Sequence, residues 1–536
     1  MDPSTTVDIS TGQPAGTGVR TRFTTGTGVH RATGNITEQY LARYEKAAAG
    51  VSDPAALLPV TGAQRRFLLA RRLTPGGRPD VVPLFFAFPH GTIDLERLRA
   101  AAGYLAAAHP ALRTRPDVLR GAPVQRLGAP EAQVHRVTPR PGESAATALR
   151  RTLLAWSAEG PPLRLFLADA HADAGAHADT DGDGTTGPVE ILALALDHAV
   201  CDEQSLGRIS ADLGEAYGHG LGPGDVPQDR AAVEVAGYRE AVRLQLDAER
   251  RASGPDALAY WARRIAPALA GGDANAGPGQ PATQQAQKAQ QTQQAQQAQQ
   301  TSASAAPRPT GSLQARLPVR DGDGRATAFP VLLGACGSVA RALAEAGAPG
   351  RTPLLGYPWG GRPAAAPPVL GCFLNTVVHP AFACGPDDLT TTWWDDLDHA
   401  DTPFDEVVRA ARTATVPWTG QLDGLLTFED LHRRPPLELD GVAGREVHID
   451  GRPLQAPFAV SVSYGTDLLV RLAWDRDAFP DGLVQDAFAA LTTELSGEPT
   501  ELSGKPTEPS GEPTEPSGQP AEPSGQARTP SATPVA

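Results

Sequence analysis

Cysteine, methionine and aromatic residues are scarce in this sequence. Its 536 residues include 4 cysteines and 1 methionine, and aromatic residues make up 5% of the total. The cysteines have neither a close pair nor the spacing of metal ligands, and they stand at Cys201, Cys336, Cys372 and Cys384. In a chain of this length such a pattern excludes a disulfide framework, so we expect buried free thiols.

Basic runs and long apolar runs are also missing. The formal net charge is −14, and no basic stretch could follow a phosphate backbone, which argues against nucleic-acid binding. No run of about 18 apolar residues marks a membrane-spanning helix. Residues 1–34 are rich in Thr and Gly and lack the apolar region of a signal peptide. We therefore expect a soluble cytoplasmic protein that contacts neither nucleic acid nor membrane.

Two low-complexity tracts divide the chain. A Gln/Ala tract at 277–304 has no apolar face, and the tail repeats a proline-containing heptad that cannot be helical. The expected segments are a disordered head at 1–50, a first folded block at 51–270, a linker at 271–310, a second folded block at 311–495 and a disordered tail at 496–536.

Helical and strand patterns alternate within both blocks. Thr61 and Gln64 form a capping box before an apolar helix. Apolar runs of strand length and stretches of helical periodicity follow. Strands are predicted at 81–89, 163–168, 191–196, 353–358, 369–379, 421–429, 457–464 and 467–475, and helices at 94–109, 202–217, 230–251, 256–266, 328–346 and 481–495. This mixture predicts an α/β or α+β sandwich.

One strand-to-helix junction concentrates polar residues. The apolar strand at 191–196 ends in Asp197 and His198, and Asp202 occupies the position of a helix N-cap. The ordinary pKa of histidine lies close to neutral pH, so His198 is a candidate general base. Spacing alone leaves open an ordinary half-buried histidine beside an ordinary cap.

This segment resembles the His-His-x-x-x-Asp-Gly signature of non-ribosomal peptide synthetase condensation domains and their chloramphenicol-acetyltransferase-like relatives. Further segments resemble family motifs in the expected order. They are Leu58–Phe67, His109–Thr114, Tyr260-Trp261, Gly356–Arg362, Gly371–Thr376 and Asp401–Val408. Together they cover roughly residues 57–495, and their co-linearity is the strongest sign of relationship.

The resemblance implies a fold and roles for particular residues. It implies two acyltransferase-like lobes that form a V around a central channel. His198 would be the histidine that works in the channel, and Asp202 a structural residue bound to Arg362. Asn375 and Thr376 would lie near the channel wall, and an ordinary turn or strand-end residue is the alternative for Asn375.

Two positions depart from the family signature. Asp197 replaces the first histidine, and Glu203 replaces the glycine that leaves room for substrate. Asp197, Asp202 and Ser205 also match the Asp-x-x-x-x-Asp-x-x-Ser signature of heterocyclization domains. Those domains usually lack the histidine that His198 supplies, so the sequence combines two signatures.

The resemblance implies an acyltransferase of the condensation-domain type. It would join a carrier-bound acyl or aminoacyl thioester to an amine or alcohol, in non-ribosomal peptide, antibiotic or related secondary-metabolite biosynthesis. No cofactor is expected apart from the phosphopantetheine arm of a separate carrier protein, because no carrier motif or adenylation domain is present. Heterocyclization and non-catalytic carrier recruitment remain alternatives.

An acidic segment before the motif strand matches a calcium-binding pattern. Asp179 to Glu190 follows the spacing of an EF-hand loop. Gly187-Pro188 interrupts its second half and no helix–loop–helix frame surrounds it. We expect a solvated acidic turn here, with calcium binding as the alternative.

Overall fold

The structure is a computed structural model. It describes residues 34–73, 80–157, 159–170, 187–270, 310–319, 325–347, 349–414, 418–452 and 454–496. Three predicted segments therefore lie outside the described residues, wholly or almost wholly: the head up to residue 33, the linker, and the tail. The same holds for residues 179–186 of the acidic segment.

The described residues form eleven α-helices. These are α1 Ile36–Ala48, α2 Gly62–Leu73, α3 Leu95–Ala108, α4 Ala145–Leu154, α5 Glu203–His219, α6 Gln228–Ala252, α7 Pro255–Ala270, α8 Arg325–Gly347, α9 Pro386–Leu397, α10 Phe404–Thr413 and α11 Asp481–Ser496.

The strands are mostly of the predicted extent. They are β1 Leu57–Leu58, β2 Val81–Pro89, β3 Thr114–Leu119, β4 Ala122–Leu127, β5 Gln133–Arg136, β6 Leu163–Ala170, β7 Val189–Asp197, β8 Gly311–Pro318, β9 Leu354–Trp359, β10 Asn375–Pro380, β11 Gly424–Asp430, β12 Glu438–Leu439, β13 Val442–Ala443, β14 Arg445–Glu446, β15 Phe458–Tyr464 and β16 Asp467–Trp474.

The first lobe is built on a five-stranded sheet of order β14-β2-β7-β6-β5. Side chains alternate across its strands, so one face of β7 carries Leu192, Leu194 and Leu196 and the other carries Ala193 and Ala195. The leucine face packs on α3 and α5 in the main core of the lobe, and the alanine face packs on α4. Helices therefore cover both faces of β7 and hold its end in place.

The second lobe is built on a six-stranded sheet of order β10-β9-β11-β15-β16-β8. One face packs on α7, α8 and α11 in a separate core. The segment Phe329–Gly347 of α8 is long and apolar enough to cross a membrane by composition. Its Leu333, Cys336 and Val339 are buried in this core, so packing against the sheet accounts for its apolar character.

The two sheets with their separate cores confirm the two-lobe α/β architecture. The lobes do not divide cleanly in chain order, because each contains a segment from the other predicted block. Strand β14 comes from the second block and pairs with β2 of the first lobe. Conversely, α7 belongs to the first predicted block, but its Trp261 and Ile265 are buried in the second core. The lobe boundary predicted at residue 270 therefore does not match the packing.

The predicted disordered head is wrong for residues 36–48. Asn35 and Glu38 form a capping box that starts α1. Tyr40 is buried, and its hydroxyl donates to the carbonyl of Pro123 at 3.0 Å. The Thr- and Gly-rich composition ends before this capping box, and the folded region therefore begins before the predicted boundary at residue 51.

Two smaller predictions also need correction. Cys384 is exposed, whereas Cys201, Cys336 and Cys372 are buried free thiols as expected. The strand predicted at 369–379 begins only at Asn375, because Val369, Leu370 and Phe373 pack as an irregular segment into the first core.

Candidate active site

The end of β7 presents His198 at the start of a short 3-10 turn, His198–Val200. The imidazole is half-buried and lies against Phe67 of α2, with ring centroids 4.5 Å apart. Its Nδ1 is buried and has no hydrogen-bond partner among the described residues. A buried polar atom without a partner is uncommon and is often found at functional sites. The exposed part of the His198 side chain therefore does not include Nδ1.

Asp197 is held by other groups. Its carboxylate accepts a hydrogen bond from the backbone N–H of Ala199 at 2.9 Å and forms an ion pair with Arg71 of α2. The residue is 4% exposed. Asp197 therefore caps the turn that carries His198, and its charge is balanced by Arg71.

Asp80 is a second carboxylate near His198. Its carbonyl accepts from the backbone N–H of His198 at 3.1 Å. Burial raises the pKa of the Asp80 carboxyl, while the nearby charges of His198 and Arg71 oppose that shift. Arg66 completes the surroundings: it lies over the ring of Phe404 at 4.1 Å, and burial lowers its pKa to about 10.

Arg71 and Asp80 were not among the site residues predicted from the sequence. A signal was present, because Asp80 directly precedes the predicted strand at 81–89. In the structure Val81 pairs with Asp197, so the start of β2 and the end of β7 meet at the histidine.

The predicted ion pair between Asp202 and Arg362 is confirmed. One guanidinium nitrogen of Arg362 lies 2.7 and 2.8 Å from the two Asp202 oxygens. Asp202 also accepts from the backbone N–H and the hydroxyl of Ser205, at 3.1 and 2.8 Å, and from the backbone N–H of Phe373 at 3.1 Å. The carboxylate thus caps α5 and joins it to the segment before β10.

Glu203 is the first residue of α5, where the family signature has glycine. Its side chain reaches solvent, but enclosure by surrounding protein and then the charge of Glu429 raise the pKa of Glu203 to about 7. Arg434 and the backbone N–H of Asp430 oppose this rise. Glu203 therefore lies close to Glu429 and Arg434 of the second lobe.

Asn375 is half-buried, and its place near the channel wall stays a prediction. Its amide donates to the carbonyls of Ala400 and Thr402, both at 2.7 Å, and accepts from the backbone N–H of Phe404 at 3.1 Å. The amide therefore holds the loop before α10. Thr376 is buried, and its hydroxyl accepts a hydrogen bond from Arg66.

Glu190 of the calcium-binding pattern lies inside β7 and is fully buried. Its Oε1 accepts from the backbone N–H of Ile93 at 2.8 Å, and its Oε2 lies 3.7 Å from Arg136. His90 and Asp169 are close enough to form a metal-sized group with it, but Arg136 also pairs with Asp169 at 2.6 Å. The guanidinium of Arg136 therefore already pairs with both carboxylates of this group.

No protein-family model matches the sequence, and no curated protein matches it at a significant level. Solved structures do match. The starter condensation domain of rhizomide synthetase RzmA, a mutant in complex with C8-CoA, has a TM-score of 0.54 and 16% identity, over 83% of this chain and 95% of that chain.

Two further structures extend this likeness. The X-domain from teicoplanin biosynthesis, also solved in complex with OxyB, has a TM-score of 0.52 and 16% identity, over 82% of this chain and 94% of that chain. The condensation domain of the Monacolin K polyketide synthase MokA has a TM-score of 0.51 and 15% identity, over 82% and 97%. The chain therefore has the two-lobe fold of condensation domains.

Proposed function

We propose that the protein is a condensation enzyme that transfers an acyl or aminoacyl group from a carrier-bound thioester to an amine or alcohol. The observation that carries this proposal is the position of His198. It stands at a strand end between Phe67 and Asp80, on a turn fixed by Asp197 and a helix fixed by Asp202, in a fold that condensation domains share.

His198 would act on the nucleophile. It orients the attacking nitrogen or oxygen and accepts its proton as the new bond to the thioester carbonyl forms. Backbone N–H groups stabilise the oxyanion that develops. When the carbon–sulfur bond breaks, the phosphopantetheine thiol leaves and takes a proton, so the products are an amide or ester and a free thiol.

The donor would arrive on a separate acyl or peptidyl carrier protein, and the protein itself needs no further cofactor. A cytoplasmic role in non-ribosomal peptide, antibiotic or related secondary-metabolite biosynthesis follows from this assignment. Heterocyclization is less well supported, because the Asp197 carboxylate is bound by Arg71 and the backbone of Ala199.

Carrier recruitment without catalysis is the second candidate. It is favoured by Glu203 at the glycine position, and by the X-domain neighbour that was solved in complex with another protein, OxyB.

Intact-protein mass spectrometry of a loaded carrier separates these functions. The full chain is incubated with an acyl-loaded carrier and a mixture of amines and alcohols. We expect the carrier to return to its free-thiol mass while an amide or ester accumulates. A product that is lighter by one further water would indicate heterocyclization. A carrier that binds the protein but keeps its acyl group in every mixture would indicate recruitment.

A further inference from the structure

The second sheet has one face that does not belong to its core. Thr427, Ser461 and Arg471 are neighbours in register on β11, β15 and β16. Because side chains alternate along a strand, these residues lie opposite Val462 and Val470, which are buried in the core on the other face. Small and polar residues therefore face the first lobe.

A cavity of about 230 Å³ lies between this face and the first lobe. Val81 of β2 and Leu153 of α4 line one side, and the segment His448–Arg452 lines another. Val81 pairs in register with Asp197, the residue before His198. The cavity thus begins beside the strand ends that carry the candidate catalytic histidine.

Three arginines line this cavity, and one of them, Arg150, donates to the carbonyl of Asp450 at 3.0 Å. Neither Arg452 nor Arg471 forms an ion pair with any described residue, and the Nε of Arg471 is buried without a hydrogen-bond partner. Burial, and then repulsion by Arg471, lower the pKa of Arg452. Burial also lowers the pKa of Arg471. We call this space the arginine cavity.

The acidic groups nearest to Arg452 and Arg471 have other short-range partners. Both oxygens of Glu446 lie 2.8 Å from Arg434, and Glu429 lies 3.5 Å from the same guanidinium. Asp450 lies 3.1 Å from His448. None of these carboxylates is in ion-pair contact with Arg452 or Arg471, although Asp450 lines the cavity and the charges of Glu429 and Asp450 partly oppose the lowering of the pKa of both arginines.

Unpaired guanidinium groups in a cavity have a clear physical consequence. Removing a charge from water is costly unless a partner replaces the lost hydration. The planar guanidinium fork matches the geometry of carboxylates and phosphates, and such charge-assisted hydrogen bonds are among the stronger ones. An oxyanion is thus the ligand that this cavity fits.

We propose that the arginine cavity binds the free carboxylate of a small-molecule acceptor, with Arg452 and Arg471 as its ligands. The proposal deepens the proposed function, on which the word acceptor rests. A carboxylate fits better than the phosphate of a phosphopantetheine arm, because that phosphate is esterified to a folded carrier that cannot enter a cavity of about 230 Å³.

Calorimetric titration of the full chain with benzoate tests this proposal without relying on activity. Benzamide serves as the uncharged analogue and inorganic phosphate as the competing oxyanion. We expect benzoate to bind and benzamide not to bind. Arg452→Gln and Arg471→Gln should each weaken benzoate binding about tenfold or more, since one charge-assisted hydrogen bond is removed.

The matched control is Arg243→Gln, which removes an exposed arginine on α6 and should leave benzoate binding unchanged. Thermal unfolding checks that each variant folds, and Arg452→Lys and Arg471→Lys should bind benzoate more tightly than the Gln variants because the charge is kept. Equal binding of benzamide, binding of phosphate alone, or unchanged benzoate affinity in both Gln variants would overturn the proposal. His198→Ala should still bind benzoate, so a failure of the proposed chemistry is distinguishable from a failure of this site.

Discussion

Arg362 and the arginines of the arginine cavity differ in their partners: Arg362 is paired with a carboxylate of the chain, and Arg452 and Arg471 have no ion pair among the described residues. Arg362 lies within 2.8 Å of both oxygens of Asp202, and a second nitrogen donates to the carbonyl of Val369 at 2.6 Å. Arg452 and Arg471 form no ion pair with any described residue, although Asp450 lines the same cavity. In the first arrangement the charge of Arg362 is neutralised within the chain by Asp202, although the Nε of Arg362, like that of Arg471, is buried without a hydrogen-bond partner among the described residues. The second needs a partner from outside, which is expected of a binding site.

Breaking the complete pair should have the largest effect on stability. Asp202→Ala leaves Arg362 largely buried and unpaired, and uncaps α5. We expect a loss of about 3–5 kcal/mol in the free energy of unfolding, measured by urea denaturation followed by circular dichroism. Arg243→Gln, at a solvent-exposed pair, should change that free energy far less, because exposed ion pairs contribute little to stability.

Arg471→Gln, measured in the same denaturation series, should have a much smaller effect on stability. Removing a cation that has no partner in the chain should cost far less than Asp202→Ala. A drop below about 1 kcal/mol for Asp202→Ala would show that the lobes do not depend on this pair.

A smaller effect on stability is expected at Glu203, and it should depend on pH. The folded state raises the pKa of this carboxyl to about 7 from an ordinary 4.5, so folding favours its protonated form. Stability from this group is present below about pH 4.5 and is lost as pH rises towards about 7.

Glu203→Gln should therefore stabilise the protein at pH 8 relative to wild type and have little effect at pH 4.5. Because solvent reaches the side chain, we expect a difference of about 1 kcal/mol or less. Thermal melting of both proteins across this pH range checks the sign. A variant less stable than wild type at pH 8 would contradict the assignment.

Much of the fold could be predicted from the sequence because it depends on local patterns. The strand predicted at 81–89 is β2, Val81–Pro89, and the helix at 481–495 is α11 to within one residue. The Asp202–Arg362 contact was also predicted, although 160 residues separate the pair. That contact came from the family resemblance and not from any local signal.

The remaining features depend on contacts that no local pattern records. The ion pair between Arg71 and Asp197 spans 126 residues, and together with the Ala199 N–H it holds Asp197 as the cap of the turn that carries His198. The arginine cavity exists only because β16 pairs with β15 and places Arg471 on the face opposite the core. Asn375 matches a family motif, yet its role is decided by the carbonyls of a distant loop.

The most direct test of the account compares His198→Ala with Asp197→Asn, using one carrier-loaded donor and one acceptor. Asp197→Asn keeps an oxygen that can cap the turn. We expect His198→Ala to lower the rate of acyl transfer by about 10²–10⁴, because the group that handles the proton is lost, and Asp197→Asn to have a milder effect. A nearly active His198→Ala beside an inactive Asp197→Asn would contradict the assignment and favour heterocyclization chemistry.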